Sequence, residues 1–209
     1  MAIKRIFRKN IITLKEFLYS IPRYVKCRFV KANTLGYLDP QIAEKIRLEI
    51  AKINDCKYCF HAHEIVAEFI GVEGDEIKNI KQPKKIDKNS KEWLVLDFSR
   101  IYVNKLNEKP SFDSLEGALA KLKTKFTDNQ IEKIKTIVYV MNFNNRAMNT
   151  IELLILRLGG KVELQEKRSM LGIMILIALL SVIAVPRVFR LEMMNLRNKI
   201  KTRRRNRLK

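Results

Sequence analysis

Glycine and proline are scarce in this chain, seven and five in 209 residues, which argues against a turn-rich β architecture. Strand-like alternation and internal repeats are missing too. Apolar residues recur at helical spacing instead, so the fold class expected is all-α. Cysteine is scarcer, and three are too few for a secreted disulfide scaffold. Histidine is the rarest of these, with His61 and His63 the only two. Acidic residues are nearly missing from both ends. Residues 1–31 hold nine Lys/Arg against the single Glu16, a net +8, and residues 187–209 hold ten against the single Glu192, a net +9. Only +3 of the total +20 is left for the 155 residues between them. The ends are basic arms on an ordinary globular middle. With 47% hydrophobic and 31% charged residues, the chain can bury a core, which excludes wholesale disorder.

Charge is absent altogether from Ser169 to Pro186, "SMLGIMILIALLSVIAVP". As a helix these 18 residues span about 27 Å, close to the ~30 Å of a bilayer's hydrocarbon core. A buried oligomer-interface helix is the rival, but the stretch has no polar face. The expectation is a membrane helix at 169–186 with a basic tail at 187–209. The N-terminus, "MAIKRIFRKNIITLKEFLYS", has no uninterrupted run of seven apolar residues and so no secretory signal pattern. Positive-inside reasoning puts the basic tail on the cytoplasmic side, and a single span would then export the main domain. Without a secretory signal the main domain is expected on the cytoplasmic side, with the topology left open and the basic arms facing anionic lipid at ~1 kcal/mol per Lys or Arg near the surface. Nucleic acid would also attract "KTRRRNRLK", yet beside an apolar 18-mer the membrane surface is the preferred partner.

Four regions follow: a basic amphipathic arm at 1–34, a helical domain at 35–160, the apolar segment and the tail. The arm reads as one or two short helices broken at Pro22. Asp39-Pro40 is an N-cap followed by proline at the first helical position. Ile42, Ile46, Leu48, Ile50 and Ile53 then repeat with helical spacing up to Asn54-Asp55, a pair able to end one helix and cap the next. That next helix stops at Gly71. Further helices are expected at 74–80, at 91–107, from Ser111, and from Thr127, whose capping box uses Gln130. The last is long, with Ile131, Ile134, Val138, Met141, Met148, Ile151 and Leu154 or Ile155 along one side, and is stopped by Gly159-Gly160.

The chemistry-bearing stretch is "CKYCFHAH", residues 56–63. On a helix starting near Cys56, positions Cys56, Cys59 and His63 share a face. Glu44 sits twelve residues earlier on the preceding helix, and an antiparallel helix pair returns its carboxylate to His63. A helix N-terminus and an imidazole both favour thiolate. Lowering a cysteine pKa from ~8.5 to ~6.5 raises the thiolate fraction at pH 7 from ~3% to ~75%, but falling nucleophilicity gives back about eightfold. Activation alone is therefore not enough. A peroxide also needs a proton for its leaving oxygen, and a His63–Glu44 relay would supply it, typically worth ~10²–10⁴-fold. The second thiol then closes a disulfide on the sulfenic acid before irreversible oxidation.

Other readings compete. Covalent c-type haem requires histidine directly after the second cysteine, and Phe60 stands there. Zinc would use Cys56, Cys59 and His61 or His63, but a second ligand pair from a distant segment is missing. That rival is a non-catalytic, membrane-anchored helical protein with a zinc-bound or inert motif. Cys27 and His61 read as bystanders.

Glu44, Cys56, Cys59 and His63 at this spacing, within "EKIRLEIAKINDCKYCFHAHEIVAEFIGV", resemble the signature of the alkylhydroperoxidase D-like group of the carboxymuconolactone decarboxylase superfamily. "WLVLDFSRIYVNKL" and "FTDNQIEKIKTIVYVMNFNNRAMNTIELL", with the pair Asn145-Arg146, resemble its later helices over roughly residues 35–160. The resemblance implies an all-helical domain assembling as trimers or hexamers. It implies a thiol-dependent peroxidase or disulfide oxidoreductase with a peroxide substrate and a thiol or dithiol electron donor. It also implies Cys59 as the attacking thiol, Cys56 as the resolving one, and His63 and Glu44 as the relay, with no metal or other cofactor. Tyr58 stands where some members carry a further histidine. The apolar segment and the arms lie outside the family domain and suggest a lipid-derived peroxide.

Overall fold

Cap chemistry decides where the helices of this chain begin. The computed structural model describes residues 5–6, 9–31, 35–81, 87, 89–109, 114–160 and 162–163. Its helices are α1 (Leu14–Val25), α2 (Pro40–Ile53), α3 (Lys57–Phe69), α4 (Gly74–Lys81), α5 (Lys91–Leu106), α6 (Leu115–Lys123) and α7 (Asp128–Leu158). Asp39 accepts from Gln41 N at 2.7 Å ahead of Pro40, and Ser90 accepts from Trp93 N at 3.1 Å. Thr127 and Gln130 close a reciprocal capping box on α7, as do Thr13 and Glu16 on α1. α6 begins at Ser114, whose hydroxyl accepts from Glu116 N and Gly117 N; the expected opener, Ser111, is outside the described residues.

The described residues are helical apart from turns and one two-residue parallel pairing, β1 (Arg5–Ile6) with β2 (Val162–Glu163). That pairing was not expected from the sequence. Two alternating residues carry no strand signal, and the partners lie at opposite ends of this unit.

α2 is the central element, packed against α3, α4, α5 and α7. It is buried nearly all round: Ile46, Leu48 and Ile50 are fully enclosed, and so are the polar Glu44, Lys45 and Glu49. Buried charge requires partners, and each has one. Lys45 binds Glu76 at 2.7 Å and also Glu92.

α7, 31 residues and about 46 Å long, is the spine. Its first half buries Ile131, Ile134, Val138 and Met141 as expected. Its last third departs from the expected stripe: Leu153 is buried, Ile151 and Leu154 are half-buried, and Ile155 is 62% exposed. The face there turns toward the N-terminal residues, where Arg146 holds Ile11 O at 2.8 Å and Thr150 accepts from Ile12 N at 3.0 Å.

The expected break at Pro22 does not occur. α1 runs through it and continues as a π-helical turn over Lys26–Lys31. Pro22 is exposed, while Phe17 and Tyr24 are buried on Phe143, ring centroids 5.5 and 4.4 Å away. That packing outweighs the roughly 3 kcal/mol a proline costs inside a helix.

The described residues all lie in one compact unit, residues 1–165. The expected membrane helix at 169–186 and the basic tail lie outside the described residues. Among the described residues no helix is long and apolar enough to cross a membrane.

Candidate active site

The site is built on the turn between α2 and α3. Asn54 ends α2, and Asp55 takes a left-handed conformation, φ 50°, which aspartate tolerates better than most residues. Cys56 N then donates to Ala51 O at 2.9 Å, so the chain reverses and α3 folds back along α2. The N-cap of α3 is Cys56, not the Asn54-Asp55 pair expected from the sequence. Its sulfur accepts from Cys59 N at 3.4 Å, because Asp55 is committed to the reversal and its carboxylate is exposed.

Cys56 and Cys59 are joined as a disulfide, Cα atoms 5.3 Å apart. Cys56 is 1% exposed and Cys59 9%. Cys59 and His63 are four apart on α3, one turn above the other, with Cβ atoms about 5–6 Å apart in such a pair.

From α2, Glu44 meets His63. Its Oε2 lies 2.7 Å from His63 Nδ1, and its Oε1 is held by Arg47. Burial pushes the Glu44 carboxyl up, but the His63 hydrogen bond and the Arg47 charge outweigh burial and leave it below its ordinary value. An ionised Glu44 can only accept, so His63 carries its proton on Nδ1 and leaves Nε2 as the exchanging nitrogen. Sequence reasoning placed Glu44 and His63 but missed Arg47. Its position, three residues after Glu44 on a helix, was the available signal.

Beneath the turn lies a second missed feature, a set of buried amides. Asn54 Oδ1 accepts from Asn107 at 2.9 Å and Asn10 at 3.1 Å, and its Nδ2 donates to Asn142 at 2.9 Å. Asn142 closes the ring on Asn107 at 3.1 Å, and Asn149 holds Asn54 O at 2.8 Å. These bonds tie α2, α5 and α7 together one residue before the reversal. They fix the platform from which Cys56 projects.

Tyr58 is 64% exposed. His61 points outward with its ring 74% exposed, 3.7 Å from Glu64. Neither is brought to the Glu44–His63 pair. Of the pair Asn145-Arg146, Arg146 reaches Ile11 O and Glu16 at 2.9 Å, and Asn145 is fully buried within α7. Among the described residues, no group of three or more His, Cys, Asp or Glu side chains is arranged to hold a metal ion.

Compared with known proteins, the chain matches no family model and no curated relative.

Proposed function

We propose that this chain is a membrane-associated, thiol-dependent peroxidase or disulfide oxidoreductase of the alkylhydroperoxidase D-like kind, reducing organic hydroperoxides through Cys59 and Cys56. One observation carries the reading. A Cys56–Cys59 disulfide sits at a helix start, and on the same face His63 is hydrogen-bonded at 2.7 Å to the buried, ionised Glu44.

The chemistry balances as follows. In the reduced enzyme His63 Nε2 takes the proton of the Cys59 thiol, the thiolate attacks the terminal peroxide oxygen, the O–O bond breaks, and the departing alkoxide takes that proton back from Nε2. Cys59 is now a sulfenic acid. Cys56 attacks its sulfur, expelling water and forming the disulfide. Two electrons from an external thiol or dithiol donor restore both thiols. Glu44 holds Nδ1–H throughout, so that proton exchange occurs at Nε2.

The two sulfurs differ in their surroundings. Cys56 Sγ accepts the Cys59 N–H at 3.4 Å. Cys59 is the more accessible and has His63 one turn away. Attack by Cys59 with resolution by Cys56 uses the greater exposure of Cys59 and its neighbour His63.

The domain acts as a homo-oligomer, trimer or hexamer, on the cytoplasmic side, with its basic arms on anionic lipid rather than nucleic acid. Thiol titration of the reduced protein before and after one equivalent of organic hydroperoxide tests the chemistry. Wild type loses two thiols, Cys59→Ser is inert, and Cys56→Ser is trapped as the sulfenate. An unchanged thiol count in wild type refutes the proposal.

A further inference from the structure

The described unit holds a concave feature that shares no residue with the redox site. It is a cleft of about 370 Å³ between the α1–π segment, α5 and α7, within the size range of small-ligand sites. Its walls are unusually cationic. Arg23, Lys26, Lys31 and Lys135 face the single carboxylate Glu132. Glu132 is already engaged by Lys135 at 2.8 Å and Lys31 at 3.4 Å, so it balances one charge of four. Lys26 has no carboxylate partner among the described residues. Arg23 lies over the Tyr139 ring, 4.3 Å from its centroid, with one nitrogen 3.5 Å from the Tyr102 hydroxyl. Stacking fixes the plane of the guanidinium while leaving donors of its planar fork for an anion.

The next row along the same helix points to the source of that anion. Leu18, Pro22 and Val25 are spaced i, i+4, i+7, and all are exposed together with Tyr19. Arg23 and Lys26 stand beside them at one residue's offset. An exposed apolar row bordering a cationic cleft is the pattern of a helix lying in a lipid interface, and it offers nothing to a nucleic-acid backbone.

We propose that this cleft binds a phosphate group, supplied by the headgroup of an anionic phospholipid whose chains lie along Leu18, Pro22 and Val25. The site deepens the membrane part of the proposed function, but it does not depend on the peroxidase chemistry.

Cys27 gives a local readout. It lines the cleft, is buried, and is the one free thiol while Cys56 and Cys59 are bonded. We expect maleimide labelling of Cys27 in the oxidised full chain to slow on adding phosphatidylcholine vesicles that contain phosphatidic acid, and not on adding pure phosphatidylcholine vesicles. Arg23→Gln with Lys26→Gln, both exposed, is read as the ratio of its labelling rates with and without vesicles, because removing two cations beside Cys27 changes the unliganded rate itself. The double variant should need about fivefold more phosphatidic acid for each cation removed to give the same protection. Its many other basic residues still carry it onto the vesicles, so the lost protection reports the cleft and not the arm.

Inorganic phosphate separates the sources. Protection by phosphatidic acid alone supports the lipid headgroup, while equal protection by inorganic phosphate keeps the anion site and removes the lipid. Protection by neither overturns the proposal, as does equal protection of wild type and double variant, or protection by duplex DNA without any by lipid. None of these outcomes bears on the thiol count after hydroperoxide, so failure here and failure of the peroxidase reading are distinguishable.

Discussion

Glu44 and Glu49 lie five residues apart on α2, are both buried, and are both paired with arginine, yet they are built for different tasks. Glu49 is 1% exposed and its Oε1 accepts from Arg100 Nε at 2.6 Å, while its Oε2 has no hydrogen-bond partner. Arg100 is itself braced over Trp93, 4.9 Å from the ring centroid. This is a fixed ion pair between helices. Glu44 has both oxygens engaged, one by Arg47 from its own helix and the other by His63, a group able to exchange a proton. The difference between a strut and a relay lies in the second partner. A carboxylate facing only a permanent cation holds two helices together, whereas one facing imidazole also selects a tautomer.

The sharpest way to break this comparison is to neutralise each carboxylate with little change of shape. Glu44→Gln keeps the contact with His63 but no longer enforces the Nδ1–H tautomer. We expect peroxide reduction to fall by ~10²–10⁴-fold, the usual worth of positioned acid–base groups, with the melting temperature close to wild type. Steady-state turnover beside a thermal melt checks it. If activity survives, Glu44 is a second strut.

Glu49→Gln should show the opposite profile. It strands Arg100 against a neutral amide, and breaking a buried pair costs about 3–5 kcal/mol. The loss should appear in denaturant or thermal unfolding, with peroxide reduction per folded molecule retained. Replacing both partners, Glu49→Leu with Arg100→Met, should recover most of the loss, since apolar substitutes for buried ion pairs are often neutral or stabilising. No such double replacement should rescue Glu44. A Glu49 variant that folds normally but loses turnover would dissolve the distinction.

The reach of the sequence follows the same divide between local and distant causes. Helix starts at Asp39 and Thr127 were legible because a cap and its recipient lie within three residues of each other. The turn bringing Glu44 onto His63 was legible because one helix reversal suffices. Arg47 was equally local and simply passed over. The α3 cap was misassigned because cysteine is not an ordinary capping residue, although its sulfur accepts the Cys59 amide as an oxygen would. The Asn54 ring could not be read at all. Its members Asn107 and Asn142 are 53 and 88 residues away, and an asparagine in a sequence looks the same whether it faces water or another amide. The wrong face for the end of α7 has the same origin. Ile151 and Ile155 keep helical spacing, but the N-terminal segment claims the neighbouring face through Asn149 and Thr150.

That neutral ring is the intermediate case and predicts an intermediate cost. Asn54→Ala removes the hub and leaves amide groups of Asn107, Asn142 and Asn10 without their partner. A stranded buried polar group costs about 1–3 kcal/mol, which for a unit of this size lowers the melting temperature by roughly 2–4 °C per kcal/mol. The Glu44–His63 bond does not pass through Asn54, so the thiol titration should still report two thiols lost. Loss of the titration in a folded Asn54→Ala protein would make the platform part of the chemistry.

The smallest effect is in the pH dependence, where only Glu44 of the two glutamates makes a prediction. Burial raises its pKa, but the His63 hydrogen bond and Arg47 more than reverse that, so its folded value lies below the ordinary 4.5. A carboxyl with a depressed folded pKa binds fewer protons folded than unfolded. Its stabilising contribution is therefore complete above the unfolded value and disappears as pH falls through the folded one. Glu16, Glu76 and Glu132 are depressed as well, so the raw acid curve does not isolate Glu44, but the difference between wild type and Glu44→Gln does. That difference should be flat between neutrality and about pH 5 and should move against wild type only below the ordinary glutamate range. A difference that opens near neutral pH instead would show that the contribution removed by Glu44→Gln does not come from the carboxyl's own titration.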